Sequence, residues 1–439
     1  MIKIFYENKK FANHIEYSFE SLFRCVGIKD FSFSNEYLGE EDIVYGHSIP
    51  KDFSGVFIGE GLLFSDVYLT ENCIPQSPVR RNTDGLLVLY ESIIDGSDSI
   101  DNTDIVQGTF FILTGIEEIV YADKSYFDKF GRFKANNRIL YKEEYLYKPI
   151  VNEYAESLAK ALGIISRCKG PVGVISHDLD LPFERFNFIG KVLNKLNIPF
   201  NKKEDPYIEY ILEVERKMNI FSSWYVMTAN HSSTFDGKYD IRDSIIKNIV
   251  IKLRDVGCEI GLHYGFGSIE DNDFFKAQCD LFESNINFKL ISGRNHYLRY
   301  KIPDSFLMYS ENGIFYDSTL GSAEEEGFVF GTCTPFKLFD AVNGIKTDVW
   351  ELPLIVMEAT LFQKSYKGYS FEYAFGCIER LVEQVVIHNG CFTMLWHNSS
   401  FEREACYVGI RDTYEKIMRH ISDKMDCLTG VEAINRFVN

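Results

Sequence analysis

From about residue 170 onward the chain repeats one unit: a short apolar run, a loop, then a helix-length amphipathic segment. The runs PVGVIS (171–176), FSSWYVM (221–227), CEIGLH (258–263), FKLIS (288–292), IFYDS (314–318), WELPLIVM (350–357) and CFTMLWH (391–397) read as strands. Between them, IRDSIIKNIVIKLRDVG sets Ile245, Ile246, Ile249, Leu253 and Val256 on one helical face. DFFKAQCDLFESN, PDSFLMYSENG and SFEYAFGCIERLVEQVVIHNG behave alike, the last two ending in Asn-Gly stops. Seven strands alternating with helices predict a parallel sheet, and at this length a closed or nearly closed (β/α) barrel. Right-handed crossovers help to close it.

In such a barrel the C-terminal strand ends converge on one face, where active sites sit. Unusual polar residues fall at those ends. The first strand runs into His177, Asp178 and Asp180, and the third ends at His263. The fourth leads into Arg294, His296, Tyr297 and Arg299, and the last ends at His397 and Asn398. Four histidines at four separate strand ends can meet in space. His177 taken alone reads equally well as a core residue. Carboxylates and imidazoles on one face suit a divalent metal with an open position; catalytic zinc takes three protein ligands plus water. Asp178 and Asp180 are two residues apart and would point the same way on an extended strand.

SHDLDLP, EIGLHYGFGS, GRNHYLR, YDSTLG and LWHNSSF, in this order, resemble the five motif regions of NodB-type polysaccharide deacetylases, carbohydrate esterase family four. The resemblance covers about 170 to 430. It is closest to a divergent subgroup with an extra N-terminal domain, to which TFFILTGIEE, DKFGRFKANN and YKPIVNEYAESL are similar. It implies a distorted seven-stranded (β/α) barrel of the polysaccharide deacetylase type and hydrolysis of an N-acetyl group on an amino sugar. It also implies a divalent metal, Zn²⁺ before Co²⁺, Ni²⁺ or Mn²⁺. The substrate implied is an acetylated amino sugar or polysaccharide precursor. Carried over by position, Asp178 is the general base that activates the attacking water and Asp180 a metal ligand. His263 matches the first metal histidine. Arg294 orients the base, the Tyr297 backbone N–H stabilises the oxyanion, His397 protonates the leaving amine and Leu395 lines the pocket for the acyl methyl.

Two departures alter the ligand set. The family's second metal histidine is Gly267 here, with Ser268 next, and His296 stands where the family usually has proline. The expected ligands are therefore Asp180, His263 and His296, with His177 as the other candidate for the third. The first motif is spaced as Asp-x-Asp, so the base and ligand roles of Asp178 and Asp180 are open to exchange.

At 439 residues the chain is too long for one core. Residues 1–165 alternate apolar runs (GVFIGEGLLF, DGLLVLYES, GTFFILTG) with acidic turn-rich stretches, predicting a smaller α/β domain that ends in a helix over EYAESLAKALGII. No catalytic constellation shows there; His14 and His47 stand alone. A formal charge of -18 without any Lys/Arg-rich run argues against nucleic acid and anionic membranes as partners. The charged N-terminal stretch and the absence of a long apolar window predict no signal peptide and no transmembrane segment, hence a cytoplasmic chain. The ten scattered cysteines lack CxxC spacing, which supports neither a disulfide framework nor a structural zinc site; Cys258 and Cys391 read as buried apolar residues.

Further polar and aromatic residues carry double readings. Glu351 and Asp340 are sugar binders or else capping groups and partners for Arg299. Trp350 and Trp396 are stacking platforms or, by preference, core residues. The segment GFVFGTCTPFKLFD reads as a long loop over the active face, a candidate lid. Two functional alternatives stand beside the deacetylase. One is a non-catalytic sugar-binding protein that has lost its metal; the other is a glycosidase using Asp178 and Glu351 across the barrel mouth.

Overall fold

A computed structural model describes all of the chain except residues 95–97, 167, 184–202, 229–234 and 404–408, so Cys406 lies outside the described residues. The fold class is the expected one: a smaller α/β unit followed by a distorted (β/α) barrel.

The first unit is built on a parallel sheet of β1 (Ile2–Tyr6), β2 (Phe31–Ser34), β3 (Ile43–Gly46) and β4 (Val56–Gly59), ordered β2–β1–β3–β4. The helix Ala12–Cys25 crosses from β1 to β2 and buries Ile15, Phe19, Leu22 and Phe23. The run GTFFIL forms a helix, Ile105–Leu113, buried along its whole length. Asp104 starts it, accepting from the backbone N–H groups of Val106 and Gln107 at 3.0 and 2.9 Å. The helix predicted over EYAESLAKALGII is Ile150–Ala161.

The second sheet contains β5 (Val172–Leu179), β6 (Ser223–Val226), β7 (Glu259–Tyr264), β8 (Ser292–Asn295), β9 (Tyr316–Asp317), β10 (Phe336–Asp340), β11 (Ile345–Glu351), β12 (Val356–Met357), β13 (Cys391–Leu395) and β14 (Asp426–Cys427). Its order is β10–β11–β9–β8–β7–β6–β5–β13–β12, with β14 also on β5. All pairings are parallel except β10 with β11. All seven predicted runs reach this sheet, with three differences. FKLIS meets its strand only at its last residue, Ser292, so Arg294 lies inside β8 rather than beyond it. WELPLIVM is split: Pro353 has no N–H to give a ladder, and Leu352–Ile355 crosses from β11 to β12. The edge strand β10 and the short β14 carry no alternating pattern that would have announced them.

The candidate lid is not one. In GFVFGTCTPFKLFD, Phe328, Phe330 and Cys333 are buried, because two aromatic rings gain more by packing than by covering a wet cleft. The segment joins the two units: Val151 N donates to Gly331 O at 2.9 Å and Asn152 Nδ2 to Thr334 Oγ1 at 2.9 Å. Gly331 has φ +59°, and a Cβ there would stand 2.6 Å from Ile112, so only glycine fits. Tyr17 and Tyr68 add hydroxyl bonds to Lys337 O and Ala341 O at 2.7 and 2.6 Å.

Candidate active site

Strand alternation separates the residues of SHDLDLP. On β5, Ser176, Asp178 and then Asp180 face the barrel mouth, while His177 points the other way. His177 is fully buried, with Nδ1 at 2.7 Å from Trp396 O and Nε2 at 2.8 Å from Glu215 Oε1. Tyr414 and Ser222 bond the same Glu215. Both ring nitrogens of His177 are engaged, so it is not in position to be the third ligand.

The other three histidines present Nε2 to the acids. His263, on β7, uses Nδ1 to donate to Arg294 O at 2.9 Å, a bond set by the β7–β8 register that pairs these residues. His296 follows β8 and turns Nδ1 to Asp236 Oδ1 at 2.9 Å. His397 follows β13 and sets Nδ1 2.9 Å from Glu358 Oε1. Bonding at Nδ1 fixes each ring and leaves Nε2 facing inward. Asp180 Oδ1 lies 3.3 Å from His263 Nε2 and 3.6 Å from His296 Nε2, and Asp180 Oδ2 lies 3.7 Å from His397 Nε2. One ligand atom from each of Asp180, His263 and His296 falls within 4.8 Å of the others. Asp180 Oδ1 and His263 Nε2 are buried without a hydrogen-bond partner among the described residues. Two orphaned lone-pair sites facing each other are costly unless something cationic completes them. The donor set and the orphaned atoms fit a divalent ion.

Asp178 is fixed by Arg294, whose Nη1 reaches Asp178 Oδ1 and Ser176 Oγ, each at 3.0 Å. The rest of that guanidinium bonds Ser318 through its carbonyl and hydroxyl at 2.7 and 2.9 Å and lies over the Tyr225 ring. Asp178 Oδ2 faces His263 Nε2 at 3.6 Å.

The electrostatics follow from this packing. Burial would raise the Asp180 carboxyl, but the His296, His263 and His397 rings hold it below the usual carboxylate range. Burial would lower His397, but Glu358, with Asp180 and Asp178 beyond, drives it up to about 10. His263 is raised as well, Asp178 and Asp180 outweighing burial.

The cleft has about 250 Å³ of internal space. Asp178, Asp180, His296, Tyr297, Leu395 and His397 all line it, with Met357 and Ala359 adding apolar wall. Tyr297 and Leu298 both adopt left-handed backbone, at φ +64° and +54°, a conformation rare for side chains of that size. Gly267 and Ser268 lie in a turn after β7, where Ser268 Oγ accepts from Gln278 Nε2 at 2.7 Å. Other readings resolve against the cleft. Glu351 is fully buried and accepts from Leu320 N at 2.9 Å, so it does not face Asp178 and the glycosidase arrangement is absent. Asp340 caps a turn through Val342 N and Asn343 N, and Arg299 pairs with Glu270. Trp396 packs on Phe401 and Tyr414, and Trp350 lies beneath Arg24 and Lys337.

Three contributors escaped the sequence reading. Glu358 follows a strand as a single carboxylate, and Asp236 lies in a polar loop without periodicity. Arg132 comes from the first unit; its Nη1 donates to Tyr297 O at 3.2 Å. Nothing in the stretch DKFGRFKANN announces a long-range contact.

A family model described as a family of unknown function, DUF7033, matches residues 3–165. No curated protein matches the chain. Solved structures similar to it include three bacterial proteins. One, from Mycobacterium smegmatis and assigned as a polysaccharide deacetylase, is 13% identical over 62% of this chain and 92% of its own, with a TM-score of 0.42. A CE4 family pseudoenzyme of Bacillus anthracis is 9% identical over 61% of this chain and 66% of its own, with a TM-score of 0.36. The peptidoglycan deacetylase PdaC of Bacillus subtilis is 12% identical over 61% of this chain and 92% of its own, with a TM-score of 0.32. No described helix is long and apolar enough to cross a membrane.

Proposed function

We propose that the chain is a metal-dependent hydrolase that removes an N-acetyl or related acyl group from an amino sugar or polysaccharide precursor. One observation carries this reading: the Nε2 atoms of His263 and His296 converge on the buried, unpartnered Oδ1 of Asp180. Asp180, His263 and His296 would hold a divalent ion, zinc by preference, which when bound would supply Lewis-acid polarisation at the acyl carbonyl.

The remaining roles belong to the chain's own groups. Asp178 takes a proton from the attacking water as general base, and Arg294 holds its carboxylate in place. The Tyr297 backbone N–H is the donor to the oxyanion that forms as water adds to the carbonyl carbon. His397, held protonated by Glu358, gives its proton to the amide nitrogen, so that the C–N bond breaks to release a carboxylic acid and a free amine. Leu395 and Met357 supply apolar wall for the acyl methyl.

The test is acetate release from N-acetylglucosamine oligomers by the zinc-loaded full chain. Release that falls about 10²–10⁴-fold in Asp178→Asn and His397→Ala supports the roles. No release by a protein that demonstrably holds zinc counts against them. One specific feature favours a second reading, a sugar-binding protein without catalysis: Gly267 stands where the resemblance implies a metal histidine. That reading predicts saccharide binding with neither metal nor acetate release.

A further inference from the structure

Beside the cleft lies a larger chamber of about 830 Å³ that shares Arg132, Tyr297, Gln363 and Tyr366 with it as common wall. Its other side belongs to the first unit, residues 127–141, and it opens to the outside. A tight turn builds that wall. Asp128 N donates to Arg132 O at 2.8 Å, and Gly131, at φ +78°, donates back to Asp128 O at 3.0 Å. The turn is clamped onto the barrel: Arg299 Nε donates to Phe130 O at 2.7 Å, and the Phe130 ring stands 4.8 Å from the Tyr297 ring. Arg132 is held by Asp128 at 2.7 Å and reaches Tyr297 O, so the two units meet at the strained residue that borders both spaces.

The chemistry of the chamber narrows its occupant. Phe130, Tyr141 and Tyr366 offer partly exposed aromatic surface, Tyr141 at 38% exposure, and Asn136 and Gln363 add amides. The charged groups of its wall are each engaged. Arg132 pairs with Asp128, Lys367 with Glu325 at 2.5 Å, Lys129 lies 4.9 Å over the Phe130 ring, Lys134 donates to Ser125 O at 2.7 Å, and Glu324 accepts from Ala135 N at 3.3 Å. A phosphate-rich ligand would call for open cationic groups converging on one point. Aromatic faces with amides and few open charges suit the C–H faces and hydroxyls of a neutral sugar.

We propose that this chamber is a second saccharide subsite, built jointly by the first unit and the barrel, so that the substrate is a neutral oligosaccharide rather than a single or nucleotide-linked sugar. This rests on the amino-sugar reading of the cleft, but it concerns binding and not hydrolysis, so the two are tested apart. The experiment is calorimetric titration of the zinc-loaded full chain with N-acetylglucosamine, its β-1,4-linked trisaccharide and its uridine diphosphate conjugate. The trisaccharide is expected to bind at least about tenfold more tightly than the monosaccharide. That advantage should vanish in Tyr141→Ala, a surface change remote from Asp180, and shrink in Asn136→Ala, with monosaccharide affinity and melting temperature unchanged. It should survive His263→Ala. Equal affinity for the mono- and trisaccharide, tighter binding of the nucleotide sugar, an advantage untouched by Tyr141→Ala, or no saccharide binding each overturns the proposal. Trisaccharide binding with the expected advantage but without acetate release would leave the subsite standing and sink the hydrolysis reading.

Discussion

The chain contains two sheets, parallel but for the β10–β11 pairing, whose C-terminal strand ends both carry acids, and the two sets are used differently. In the first sheet the acids serve as structural ties. Glu7, after β1, accepts from His47 N at 2.8 Å, and Asn8 Nδ2 donates to Glu60 Oε1 at 2.5 Å. Asp104, at the start of the helix beneath, accepts from Gly61 N and from the Tyr45 hydroxyl. Neutral donors reach each of these acids, though Glu60 Oε2 stays open with the His47 Nε2 at 3.5 Å, and burial pushes Asp104 up to about 7. In the barrel, Asp178 and Asp180 face a guanidinium and three imidazoles, and Asp180 Oδ1 meets no donor. Parallel topology gathers acids at strand ends in both cases. What distinguishes the barrel acids is convergence: two buried imidazoles face the open Asp180 Oδ1, where a single exposed one faces Glu60.

The contrast can be broken most sharply at the barrel acids. Asp180→Ala should reduce acetate release at least about 10³-fold and remove bound metal, read by elemental analysis. Retained metal in that variant would show that the open oxygen is not a ligand. Glu358→Gln should cost about 10–100-fold in kcat, the range for a group that orients a functional imidazole, with metal content intact. It should also lower the apparent pKa of His397, visible as a shifted basic limb of the rate profile; an unshifted limb would mean that Glu358 is not what holds the ring protonated.

Smaller effects probe the structural side. His177→Gln should destabilise the fold by about 1–3 kcal/mol, because Glu215 and Trp396 O lose a buried partner, and should leave metal content unchanged. Loss of metal there would restore His177 as a ligand. Least in size is a pH effect in the first unit. The folded pKa of Asp104 is raised to about 7 from an unfolded value near 3.9, so the folded state binds more protons in between. Its stabilising contribution is full below about pH 4 and is lost as pH rises through about 7. Asp104→Asn keeps the cap and should flatten the decline in urea midpoint between those values; an equal slope in both proteins would count against the buried, protonated state.

Much of the barrel was legible because periodicity and chemistry agreed. Apolar runs located the strands, and their C-terminal ends carried Asp178, Asp180, His296 and His397 into one cleft with His263 buried behind Asp180. The same alternation explains His177: neighbours on a strand face opposite ways, and a reading by proximity in sequence merged them. What stayed hidden depends on contacts between distant segments. Glu358 and Asp236 orient their histidines from a short helix and a loop, where no period marks a carboxylate as inward-facing. Arg132 reaches Tyr297 across 165 residues, and the supposed lid is core because its aromatic residues meet helices of the other unit. Tertiary packing decides such positions, and local pattern does not register it.

The most direct test of the altered ligand set is elemental analysis of the purified, zinc-reconstituted full chain, of His296→Ala and of His177→Gln, each checked for folding by thermal melting. The expected result is about one equivalent of zinc in the wild-type protein and in His177→Gln, and less than about a tenth in a folded His296→Ala. Zinc retained at full level by His296→Ala, or absent from the wild-type protein after reconstitution, would contradict the claim that Asp180, His263 and His296 form a metal centre.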